Sequence, residues 1–157
     1  MDQNLLKSIV TYSPKTGKFH WRISGSGRDK RNLEAACLGS DGYVRLTYLG
    51  KKYYAHRMAF LYMLGKIPKQ VDHKNLNKSD NRWCNLRAAT RTQNNANSPA
   101  IKRALPRGVS ANGKKFYARI IVNRKSIYLG TFETPEAAHR AYRKAAREHF
   151  GEFALFQ

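Results

Sequence analysis

The chain has 157 residues, with 30 Lys and Arg against 10 Asp and Glu, for a formal net charge of +20. An imbalance of that size repels itself on folding and marks a polyanionic partner. No run approaches the roughly 20 apolar residues that cross a bilayer, and the two cysteines, Cys37 and Cys84, have neither Cys nor His at ligand spacing, which excludes a zinc ribbon and a disulfide framework.

The opening ten residues, Met1 to Val10, do not read as a signal peptide. Both thiols are expected to be free and buried, as suits a reducing cytosol. The first clear element is a Pro/Gly turn over Ser13 to Lys18, leading into a short aromatic strand at Phe19-His20-Trp21. Ser24 to Arg31 reads as a loop. Tyr43 to Leu49 alternates with period two, and Gly50-Lys51 is expected to turn it back into Lys52-Tyr53-Tyr54. At Ala55 the period lengthens: Ala55, Met58, Ala59, Tyr62 and Met63 predict an amphipathic helix ended by Gly65. His56 opens that helix beside aromatics, a setting that more often holds a packing histidine than a ligand.

Two extended pieces, Val71–Lys74 and Leu86–Ala89, are joined by a loop rich in Asn, Asp and Ser. Asn75, Asn77, Asp80 and Asn81 read as turn-formers. Thr90-Arg91-Thr92-Gln93 matches a capping box, so Asn94 is expected early in a helix that follows the hairpin. That order converges Asp72 and His73 from one strand, Asn85 from the start of the other and Asn94 from the helix. Phosphodiester hydrolysis needs an activated water and a counter-charge. An imidazole takes protons near neutral pH, and a hard divalent cation takes oxygen ligands such as a carboxylate and an amide.

Beyond Asn97-Ser98-Pro99 comes a short basic linker, then a strand in which Phe116, Ala118, Ile120 and Val122 share one face. Asn123-Arg124 forms a tight turn into a second strand, Lys125 to Leu129. Thr134-Pro135-Glu136 starts a helix with an apolar stripe at Ala138, Ala141, Tyr142 and Ala145, closed by Gly151. Tyr117 and Arg119 point to the opposite face, where Arg124, Ser126 and Tyr128 join them. With Arg107, Lys114 and Lys115, that face mixes guanidinium, ammonium and aromatic groups suited to base edges and phosphates. Both halves are basic, eighteen against six charges in residues 1–97 and twelve against four in 98–157, so both are expected to face nucleic acid.

The spacing of Asp72-His73, then Asn85-Leu86-Arg87 twelve residues after His73, then Asn94 nine further on, resembles the His-Asn-His (HNH) endonucleases, in a His-Asn-Asn variant. The Tyr12 to Trp21 opening and Tyr54-Ala55-His56-Arg57 resemble the phage-type homing members. The resemblance implies a ββα-metal core in which His73 is the general base, Asn85 orients it, and Asp72 and Asn94 bind one Mg²⁺ or Mn²⁺. From Arg107 onward the chain resembles the Apetala-two/ethylene-response-factor DNA-binding domain, a three-stranded antiparallel sheet packed on one helix, although Phe116 stands where that family usually has Trp. The expectation is therefore an α+β chain. It would comprise a nuclease domain at 1–98 with an N-terminal hairpin and helix, a linker at 99–105 and a DNA-binding domain at 106–157. It would nick or cut double-stranded DNA in the cytoplasm, of a bacterial host if phage-encoded, without membrane or small-molecule partners. The rivals are a non-catalytic sequence-specific DNA-binding regulator and an RNA- or ribosome-associated basic protein.

Overall fold

A computed structural model describes residues 1–23, 30–98 and 104–155. It is mixed α+β, built from small antiparallel sheets and few helices. The chain divides into two compact units, Met1–Ala89 and Thr90–Gln157. The segment expected as a nuclease domain thus reaches past the end of the first unit. Residues 99–103 of the expected linker and 24–29 of the expected loop lie outside the described residues.

The first unit opens with a helix that the sequence reading did not anticipate, α1 (Gln3–Ile9), whose N-cap Asp2 accepts from the Leu5 amide. Strands β1 (Val10–Tyr12) and β2 (Phe19–Trp21) then pair antiparallel. A three-stranded meander follows, of β3 (Ala36–Leu38), β4 (Val44–Tyr48) and β5 (Lys51–Tyr54). Its β4–β5 turn is Leu49-Gly50, both at positive φ, one residue earlier than the expected Gly50-Lys51. A turn with both central residues left-handed matches the strand twist, and Gly50 takes that conformation at no steric cost.

Helix α2 (Ala55–Leu64) ends at Gly65 with φ 69°, the left-handed cap expected. It is buried on more than one stripe: Phe60 and Leu61 join Ala55, Met58 and Ala59 inside, while Met63 lies exposed. These side chains meet Leu6, Val10, Phe19, Leu46, Val71 and Leu86 in the first unit's core. Each large apolar side chain so buried contributes about 1.5–3 kcal/mol. Strand β6 (Gln70–His73) and strand β7 (Leu86–Ala89) close the unit as an antiparallel ribbon.

The second unit begins with α3 (Arg91–Ala96), which carries the expected capping box: Thr90 accepts from the Gln93 amide, and Gln93 reaches back to the Thr90 amide. Strands β8 (Val109–Asn112), β9 (Lys115–Val122) and β10 (Lys125–Phe132) form one antiparallel sheet in the order β10-β9-β8. Strand β10 runs three residues beyond its expected end. Helix α4 (Pro135–Phe150), capped by Thr134, packs on that sheet through Ala138 and Ala141, against Val109, Ala118, Phe116 and Leu129. The two cysteines are free, as expected, but exposed rather than buried; each sits at a polar strand or turn position that the core does not cover.

Candidate active site and nucleic-acid face

The β6–β7 register sets Asp72 opposite Arg87 and His73 opposite Leu86. Successive residues of a strand face opposite ways, so Asp72 and His73 meet different surroundings. Asp72 Oδ2 lies 2.7 Å from Arg87 Nε, in a pair that is almost wholly buried. Attraction in such a pair is largely offset by desolvation, yet removing one member leaves an uncompensated charge. The sequence reading used Arg87 only as a motif letter; the strand register is the signal that makes it the partner of Asp72.

His73 is 5 % exposed. Its Nε2 lies 3.3 Å from Asn81 Oδ1. The Asn81 amide is fixed the right way round because its Nδ2 donates to the Ser79 carbonyl at 3.1 Å. An amide oxygen only accepts, so His73 holds its proton on Nε2 and carries its lone pair on Nδ1. Burial pushes the His73 imidazole below its ordinary value, with Lys78 adding to the effect. The Asn81 hydrogen bond and the carboxylates of Asp72 and Asp80 oppose it.

Asn85, expected to orient His73, makes its side-chain hydrogen bonds within the loop. It ends a short 3-10 turn, Trp83–Asn85, and its amide knits the loop: Oδ1 accepts from the Asn75 amide at 3.1 Å, and Nδ2 donates to the Asp80 carbonyl at 2.8 Å. The side chain that meets His73 Nε2 is Asn81, which the sequence marks only as a turn-former. The other three do form turns, with Asn75 accepting from the Asn77 amide, Asn77 from the Ser79 amide and Asp80 from the Arg82 amide. Asn81 differs in being 2 % exposed. The N-terminal hairpin backs it: Tyr12 donates its hydroxyl to the Asn81 carbonyl at 2.7 Å, and the Trp83 amide donates to the Pro14 carbonyl at 3.0 Å. Gly17, at φ 75°, is where the turn touches the loop; a Cβ there would sit 2.5 Å from the Arg82 nitrogen. The Pro/Gly opening therefore holds the loop that carries Asn81 against His73.

His56 packs as expected among aromatics, Tyr43 and Tyr54. Its third neighbour is His73, edge-on with ring centroids 5.2 Å apart. Burial first, then repulsion from His73 and Arg57, pushes His56 down to about 3, so it is neutral at pH 7. Its Nδ1 is buried without a hydrogen-bond partner. A second neutral imidazole thus walls the base without adding charge.

Asn94 lies in the first turns of α3, half-buried, its amide donating to the Thr90 carbonyl at 2.9 Å. Asp72 and Asn94 are hard oxygen donors. A carboxylate and an amide oxygen are donor types that a hard divalent cation takes.

In the second unit, β9 and β10 pair Arg119 with Tyr128 and Ile121 with Ser126, placing all four on the face away from α4. A bulge between Tyr128 and Gly130 keeps Thr131 opposite Tyr117 on that same face. Arg124 sits in the Asn123-Arg124 turn, both residues at positive φ, and Lys114 in the exposed β8–β9 turn. Lys115 is ion-paired with Glu133 at 2.8 Å. Arg107 donates its guanidinium N–H groups to the carbonyls of Asn95, Ala96 and Ser98 and also lines the cleft shared by Arg91, Arg119 and Arg124. Arg91, Arg119 and Arg124 line a cleft of about 910 Å³ within this unit; Arg91 is the contributor that the sequence reading passed over, because it lay inside the capping box.

Residues 53–96 match the HNH endonuclease family. Over 121 residues, 74% of this chain, the sequence is 37% identical to an HNH endonuclease of Acanthamoeba polyphaga mimivirus. The chain spans 63% of that relative's length.

Proposed function

We propose that this chain is a metal-dependent DNA endonuclease of the homing type, in which His73 activates water beside one Mg²⁺ or Mn²⁺ held by Asp72 and Asn94, and the β8–β10 sheet reads duplex DNA in the manner of Apetala-two domains. The observation that carries the proposal is the His73–Asn81 contact: a buried imidazole, its basicity lowered by burial, set against an amide oxygen that is itself fixed. Such a group is built to take a proton.

The proposal gives each residue a role. His73 Nδ1 accepts the proton of the attacking water as its oxygen bonds to phosphorus and the bond to the leaving sugar oxygen breaks. Asn81 keeps Nε2 protonated; Asn85 shapes the loop that presents Asn81; His56 excludes water from one side of the ring. Arg87 supplies the counter-charge that keeps Asp72 in place. A bound divalent cation supplies charge neutralisation at the scissile phosphate. Arg119, Arg124 and Arg91 meet phosphates or base edges, and Tyr117, Ser126, Tyr128 and Lys114 complete the surface.

The test is nicking of a supercoiled plasmid with Mg²⁺, with Mn²⁺ and with EDTA. Product that forms only with metal, and disappears in Asp72→Asn and Asn94→Ala, supports the proposal. One observation favours a second reading, a DNA-binding regulator with an idle core: His73 is only 5 % exposed. Tight, salt-sensitive binding with no metal-dependent product would establish that reading instead.

A further inference from the structure

We infer that Arg107 is a positioning residue for Asn94, holding the end of the short helix that carries this proposed metal ligand. The inference rests on the reading of Asn94 as a metal ligand. Helix α3 has six residues, and a helix that short does not stand by itself. Its first turn is secured by the Thr90/Gln93 capping box. Arg107 takes carbonyls at and just beyond the helix end: Nη1 donates to Ala96 and to Ser98, each at 3.0 Å, and Nη2 donates to Asn95, whose carbonyl also accepts from the Ser98 amide at 3.2 Å. A planar fork of N–H groups suits converging carbonyls, and a cation at a helix C-terminus is favoured by the aligned peptide dipoles.

Arg107 is itself anchored. The next residue, Gly108, has φ 79°, and a Cβ there would lie 2.0 Å from the Tyr142 ring, so only glycine fits against α4. The Arg119 amide donates to the Gly108 carbonyl at 2.9 Å, and His139 Nδ1 donates to the Arg107 carbonyl at 3.1 Å. The backbone is thereby tied to β9 and α4 while the side chain reaches back to α3. The segment matching the HNH family stops at Ala96, yet the residue that fastens its last helix lies beyond it.

The experiment uses the full chain bound to a duplex oligonucleotide, as wild type, Arg107→Gln and Arg107→Lys. Mn²⁺ binding is read from the EPR signal of the free ion, DNA affinity in EDTA across salt concentrations, and amide exchange at Asn97 and Ser98. Arg107→Gln is expected to weaken Mn²⁺ binding roughly 10–100-fold, the range for groups that support a metal ligand. It should speed exchange at Asn97 and leave the EDTA affinity and its salt slope in place. Arg107→Lys, which keeps the charge and one donor, is expected between the two. Unchanged Mn²⁺ binding overturns the inference, and so does a loss of EDTA affinity with a salt slope lower by about one, the mark of a phosphate contact. If Arg107→Gln does not fold, Arg107→Lys decides: weakened Mn²⁺ binding supports the inference and wild-type binding overturns it. Asn94→Ala in the same titration separates the two claims, because wild-type Mn²⁺ binding there sinks the ligand reading whatever Arg107 does.

Discussion

The β6–β7 and β9–β10 ribbons are built alike, as antiparallel pairs with apolar residues on one face, yet they treat their polar residues in opposite ways. The first hides Asp72, His73 and Arg87, with Asn81 and Asn85 of its loop. The second exposes Ile121 at 59 % and Tyr128 at 63 %, beside Arg119. Both invert the usual rule that polar groups lie outside and apolar groups inside. A buried polar cluster is costly unless every member is bonded, and here the bonds fix one tautomer and one ion pair. An exposed apolar and basic face lowers solubility, and under the proposed reading its use is contact with phosphates and base edges. The proposal assigns chemistry to the first ribbon and recognition to the second.

The sharpest way to break that contrast is to damage the hidden ribbon. Arg87→Ala leaves the Asp72 carboxylate buried without its counter-charge and is expected to cost about 3–5 kcal/mol of stability, measured by urea unfolding; a surface-like loss below about 1 kcal/mol would deny that the pair is sealed. Arg119→Ala, on the open face, is expected to leave unfolding unchanged and weaken DNA binding by about 1–3 kcal/mol if it reads a base edge, measured by fluorescence anisotropy at two salt concentrations. A smaller effect sharpens the account of His56. Its folded value of about 3 lies below the ordinary 6.5, so its contribution to stability is complete above pH 6.5 and declines as pH falls from there toward 3. Thermal unfolding from pH 7 to 4 should show that decline, and His56→Phe should flatten it. The smallest effect is expected from Lys115→Ala: its ammonium is exposed and paired with Glu133, so DNA affinity should fall less than in Arg119→Ala.

Much of this was legible because it was local. Thr90 and Gln93 announce a helix start by chemistry confined to one turn, and Thr134-Pro135 does the same for α4. The alternation around Ala118 assigns both faces of β9. Asp72, His73 and Asn94 stand out because their types and order fit one reaction. What was missed depends on contacts between residues distant in sequence. Asn81 looks like its turn-forming neighbours until Tyr12 and the turn at Gly17 press its backbone toward His73. Asn85 was assigned to the histidine because the motif has it nearby, whereas its amide serves the loop. Arg107 reads as one more surface cation until the carbonyls of α3 are placed beside it. Helix α1 has too weak an apolar period to show alone; Leu6 and Ile9 acquire meaning from the core they enter.

The central claim is that His73 is the proton acceptor in metal-dependent DNA cleavage. The most direct measurement is the single-turnover nicking rate of His73→Gly on supercoiled plasmid in Mg²⁺, without and with added imidazole, against wild type. The account expects a rate about 10²–10⁴-fold below wild type, partly restored by imidazole and silent in EDTA. A His73→Gly chain that nicks at the wild-type rate would contradict it.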